Sequence, residues 1–160
     1  NAAAGTWLVS HLAGDHRLRT VVALGGDPHV HTTRARLDAY HLVLAAAGLE
    51  PRVSLGHLTM EQAHRGALEL LRGVRPPVGL YAVNNRLFLG AVWAARDLGL
   101  RVPEDLAMVC VDRVGDAPAA GVSPTCAAQP VAQLGWHCAE LLLRRLADPA
   151  REPETVVLAC

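Results

Sequence analysis

At 160 residues with 51% hydrophobic content, the chain is long enough to bury the core of one ordinary domain. A formal net charge of +0, with 15 basic residues that are all Arg and no basic run, excludes a surface that itself grips a phosphate backbone. Aromatic content of 4%, against a dominance of Ala, Val and Leu, suits packed α/β layers better than an aromatic-rich barrel.

Taken in chain order, Thr6 is placed to cap a helix carrying Trp7, Leu8, Val9 and Leu12, which Gly14 stops. The apolar run from Thr20 to Gly25 reads as a first strand, and a loop with Pro28, His29 and His31 leads into a helix where Leu37, Tyr40, Leu44 and Ala47 recur at helical spacing until Gly48. Arg52 to Leu55 is a short second strand. Thr59 followed by Gln62 is a capping box that opens a helix to Arg72, and Gly73 with Pro76 and Pro77 punctuates the entry to a third strand, Val78 to Val83. Asn84 or Asn85 caps the next helix, whose Leu87, Gly90, Ala91 and Ala94 form a narrow face able to approach a sheet or another helix closely, and Gly99 ends it. A fourth strand runs from Leu106 to Val111, and an extended stretch from Val122 to Ala128 follows a Gly, Ala and Pro-rich loop. The helix from Val131 to Leu146 has an apolar stripe of Leu134, Cys138, Leu141, Leu142 and Leu146, and Val156 to Leu158 reads as a closing strand.

Apolar runs bounded by Gly, Pro or Asn and separated by helices predict a parallel sheet covered on both faces. Ligands of such sheets sit beyond the carboxyl ends of the strands, where Asp112 and, further on, Gln129 are placed. Asp27, His29 and His31 fall short of the three or four converging ligands a metal needs, so no metal is expected. Gly25-Gly26 lacks the rest of a phosphate loop, no Gly-x-Ser-x-Gly elbow occurs, and Asp38, Glu61 and Glu69 read as solvated. The residues therefore imply no cofactor and no enzyme. Cys110, Cys126, Cys138 and Cys160 form no Cys-x-x-Cys pair, which fits a reduced cytoplasmic setting, and no stretch of about 20 apolar residues exists to span a bilayer.

The segments GTWLVSHLAG, TRARLDAYHLVLAAAGL, PPVGLYAVNNRLFLGAVWAARDLGLRVPEDLAMV and SPTCAAQPVAQLGWHCAELLLRRL, in that order, resemble the effector-binding region of LacI-family transcriptional regulators, which is similar in fold to the periplasmic sugar-binding proteins. The resemblance implies a parallel-sheet, Rossmann-like lobe of a periplasmic-binding-protein-like fold with part of a second lobe. Residues 20–112, with 155–160 returning, would form the C-terminal-type lobe, and 1–14 and 129–147 would belong to the N-terminal-type lobe. The strands opening that lobe and a helix-turn-helix would precede Asn1, making the chain a fragment truncated at both ends. The Leu-rich face of the helix from Val131 and the helix carrying Trp7 would then be left exposed unless a second chain covers them.

By the same resemblance, Arg36, Asn84, Asp112 and Gln129 match ligand-contacting positions of the family. A guanidinium and an amide at strand ends suit the hydroxyls of a sugar or polyol. Leu58 stands where relatives carry an aromatic that stacks on a sugar ring, with His57 beside it read as an ordinary loop residue. Asn85 and Arg113 replace the family's usual Asp at each position, and Arg113 opens the way to an anionic ligand or pairs with Asp112 or Asp116. The implied function is effector sensing that controls operator DNA binding through a separate module, with a homodimer formed by the helix from Leu87 to Ala95 and the loop from Val114 to Ala120. Ala91→Arg would then weaken the dimer. A periplasmic sugar-binding protein of a transporter is the alternative, and an upstream helix-turn-helix or signal peptide discriminates the two.

Overall fold

The structure, a computed structural model, describes residues 1–115 and 121–160. Among the described residues five strands form one sheet in the order β2-β1-β3-β4-β5, and every neighbouring pair is parallel. They are β1 (Val21–Leu24), β2 (Arg52–Ser54), β3 (Val78–Ala82), β4 (Leu106–Val111) and β5 (Thr125–Ala127). The helices are α1 (Ala2–Ser10), α2 (His31–Ala46), α3 (Met60–Leu71), α4 (Asn85–Asp97) and α5 (Val131–Ala147). The sheet is parallel, as the βα period predicts.

Two compact units make up the chain, Asn1–Ala127 and Ala128–Cys160. In the first, all of β1 and β3 is buried, which is what a parallel strand covered on both faces requires. α1 packs on α2 and α3 on α4, and the core runs through Leu8, Tyr40, Leu80, Phe88 and Leu106. α3 and α4 come together because Gly90 has no side chain: a Cβ there would collide with the Met60 carbonyl oxygen and the Ala63 Cβ. The small face of α4 is thus used inside the chain. Ala91 is fully buried, so Ala91→Arg probes folding rather than self-association, and the outward side of α4 is Trp93 with Arg86 and Arg96.

Several other expectations are corrected. α1 begins at Ala2 with Asn1 as its cap, which leaves Thr6 exposed in mid-helix and Trp7 56% exposed. The helix does not stop at Gly14 but runs on as a π turn over His11–Asp15. α1 lies in the first unit, where Leu8, Val9 and Leu12 are at most 1% exposed. In the second unit α5 forms as predicted but buries none of its residues, and Val156 to Leu158 lies outside any strand. Residues 116–120, most of the predicted self-association loop and including Asp116, fall outside the described residues.

Candidate functional site

The strand order decides where a ligand can enter. From β1 the chain crosses to β2 on one side and then returns to β3 on the other, so the loops after β1 and β3 diverge and leave a crevice at their carboxyl ends. A cavity of about 340 Å³ lies there, lined by Asp27, Thr33, Arg36, His57, Leu58 and Asn84 among others. Three of the sequence-predicted residues, Arg36, Leu58 and Asn84, are brought together in it.

Arg36 enters from the first turns of α2 and is only 6% exposed. Its Nη1 donates to the Val83 carbonyl at 2.6 Å and its Nε to Asn1 Oδ1 at 3.0 Å. A buried guanidinium held this way is fixed rather than solvated, and its remaining N–H groups form a planar donor fork. Arg34, two residues earlier, is exposed and donates to the carbonyls of Pro28 and His29.

Asn84, not Asn85, caps α4, its Oδ1 accepting from the Leu87 amide at 2.9 Å. The cap fixes the rotamer, so the Asn84 side chain serves the helix and lines the cavity at once. Asn85 does something sequence reasoning missed: its Nδ2 donates to the Arg113 carbonyl at 2.9 Å, tying the start of α4 to the chain just beyond β4. That contact spans 28 positions and has no periodic signature.

His57 is more than a loop residue. Its Nε2 lies 2.8 Å from Ser54 Oγ, and its ring packs over Gly66, where a Cβ would strike it. Burial holds the imidazole pKa below its ordinary value of 6.5, with Arg65 adding to the shift and Glu69 opposing it. The sequence signal was the Ser-x-x-His spacing in a tight βα loop. Next to it Arg86 Nη1 donates to the Leu58 carbonyl at 3.4 Å. Asp27 Oδ1 accepts from the His29 amide at 2.8 Å, which gives that carboxylate a turn-forming role.

Asp112 follows β4 half-buried, with its amide donating to the Ala127 carbonyl at 2.9 Å and a backbone φ of 76°. It does not line the Arg36 cavity, and neither does Arg113, which lines a separate cavity of about 530 Å³ with Gly121 to Pro124 and Cys126. Gln129 belongs to the second unit, where its carbonyl accepts from the Val131 amide at 2.9 Å. Among the described residues no group of three or more His, Cys, Asp or Glu converges to hold an ion.

Residues 9–160 match the family described as the periplasmic binding protein-like domain. The chain belongs to that family. Its relatives include the HTH-type transcriptional repressor PurR of Erwinia tasmaniensis, 26% identical over 159 residues that make up 98% of this chain and 47% of that protein. Domains of this family with similar structures include a LacI-family regulatory protein of Chloroflexus aggregans, with TM-score 0.81 and 27% identity over 96% of this chain and 55% of that one. A LacI-family regulator of Enterococcus faecalis with bound ribose gives TM-score 0.81 and 25% identity, covering 96% and 55%. The fold and the resemblance to LacI-family effector domains stand, and the chain spans about half the length of the curated relatives it matches.

Proposed function

We propose that the chain is the effector-sensing domain of a LacI-type transcriptional regulator, which binds a small sugar-like or polyol effector and controls DNA binding by a separate N-terminal module. The observation that carries this reading is the buried, doubly anchored Arg36 beside Asn84 in a cavity at the sheet's switch point, in a chain whose relatives are repressors. The guanidinium of Arg36 and the amide of Asn84 suit vicinal hydroxyls. Ligand contact in that cavity is assigned to Arg36 and Asn84, with Leu58 shaping selectivity; Asp112 and Gln129 as contacts, and Arg113 as the group that admits an anionic effector, are proposed on the resemblance alone.

The relatives' character favours a regulator over an exported binding protein and over an enzyme. A homodimer and a cytoplasmic setting belong to the same proposal; no helix is long and apolar enough to cross a membrane among the described residues. Effector binding would bias an existing equilibrium between open and closed forms.

Thermal shift of the chain against sugars, sugar phosphates, polyols and nucleosides tests it, with Asp112→Ala as control. At a ligand concentration of about 100 times Kd, binding to the native state adds roughly 2.7 kcal/mol. A midpoint raised in the parent and unmoved in Asp112→Ala supports the assignment. A panel with no shift against a cooperative parent transition refutes it.

A further inference from the structure

We propose that Asn85 is a positioning residue that clamps Asp112 in a strained backbone conformation at the end of β4. The proposal rests on the reading of Asp112 as an effector contact. Asp112 has φ of 76°, in the left-handed region that non-glycine residues rarely occupy, and such conformations persist only where the surroundings over-determine them.

Here the surroundings do so from three sides. The Ala127 carbonyl on β5 accepts from the Asp112 amide at 2.9 Å. Cys110 Sγ donates to the Asp112 carbonyl at 3.4 Å, a weak bond from a buried thiol. Asn85 Nδ2 donates to the next carbonyl, that of Arg113, at 2.9 Å. The first two bonds come from β4 and its neighbour in the sheet. The third reaches in from α4, and only a side chain with a donor can make it.

An Asp at position 85 would be an acceptor facing an acceptor. With the backbone fixed on both sides of Asp112, its carboxylate leaves β4 in one direction, with less conformational freedom to lose when a ligand binds.

Asn85→Asp isolates the clamp, because it keeps the shape and, at the start of a helix, an acid is electrostatically favoured, so α4 itself is not weakened. Amide exchange followed residue by residue should rise at least tenfold at Asp112 in this variant while α4 and the amides of Leu106 to Val111 keep parent rates. Asp112→Gly, which accepts a positive φ freely, should raise Tm by roughly 2 °C. In the Asp112→Gly background Asn85→Asp should cost less than in the parent, since the lost bond to the Arg113 carbonyl remains but no strain is left to be held.

Parent-like exchange at Asp112 in Asn85→Asp overturns the proposal. So does an equal Tm loss from Asn85→Asp with and without Asp112→Gly. The sugar and polyol panel titrated against the parent reports separately on the site: no shift with any of its members, alongside the raised exchange, sinks the sugar reading and leaves the clamp standing.

Discussion

Arg36 carries a full charge at a position 6% exposed, and what makes that tolerable is the pair of acceptors, Val83 carbonyl and Asn1 Oδ1, that meet it. Arg36→Met keeps the stem and removes the donors, leaving the Val83 carbonyl, at the floor of the cavity, without its partner. A hydrogen bond from a charged group contributes about 1.5–3 kcal/mol, so denaturant unfolding should show a loss of about 2 kcal/mol together with loss of any effector-induced shift. Retained stability with lost binding would mean that water replaces the guanidinium at no cost. Its neighbour His57 makes a prediction in pH. Its folded pKa lies below the ordinary 6.5, so between those two values the unfolded state binds more protons than the native one. Stability contributed by neutral His57 is therefore present above pH 6.5 and lost as the pH falls below it. Urea midpoints at pH 7.5 and 5.5 should differ less in His57→Gln than in the parent, and equal differences would remove His57 from the acid sensitivity.

At the scale of elements, the signals that held were those whose partners lie within one turn. Thr59 and Gln62 exchange both bonds of the capping box because the two residues are three apart and need nothing from the rest of the chain. Thr59→Ala should cost about 1 kcal/mol, read by denaturant unfolding, and should fray Met60 to Ala63 in exchange without disturbing β1. Thr6 failed as a cap for the converse reason. Asn1 starts α1 five residues sooner, and Leu8, Val9 and Leu12 have a buried face to fill whatever residue precedes them. Gly90 was readable as a close approach but its partner was not, since nothing local says that α3 rather than the sheet will lie against it. Gly90→Val should destabilise by more than about 2 kcal/mol through collision with the backbone at Met60, a rigid neighbour that cannot swing away. The site divides along the same line. Asn84 and Arg36 sit at strand and helix ends that periodicity locates, whereas the Asn85 bond to Arg113 and the His57 packing on Gly66 depend on loops meeting across the sheet's edge.

For the molecule as a whole, the contrast between the two units sets the order of unfolding. The first has a continuous core from Leu8 through Val111, with strands at 0–2% exposure in β1 and most of β3 and β4. In the second, no residue of α5 is buried, Trp136, Leu142, Leu143 and Leu146 are each at least 59% exposed, and the polar support comes from exposed pairs, Glu140 with Arg144, Arg151 with Glu154 and Arg144 with Glu154. A 17-residue helix without a packed face relies on propensity and such pairs, each contributing a few tenths of a kcal/mol, so it is marginal in water. The stripe predicted for it from spacing is present in the sequence, but periodicity reports which residues share a face and not what covers them. Amides of α5 should therefore exchange orders of magnitude faster than those of β1 and β3, and protease should cut within 128–160 before it cuts the first unit. The fragment 1–130 should keep the parent's main unfolding transition to within about 1 kcal/mol, since among the described residues every buried apolar side chain lies at or before Ala127. A fragment that loses cooperative unfolding would mean that the second unit contributes burial to the first after all, and α5 amides protected as well as those of β1 would lead to the same conclusion.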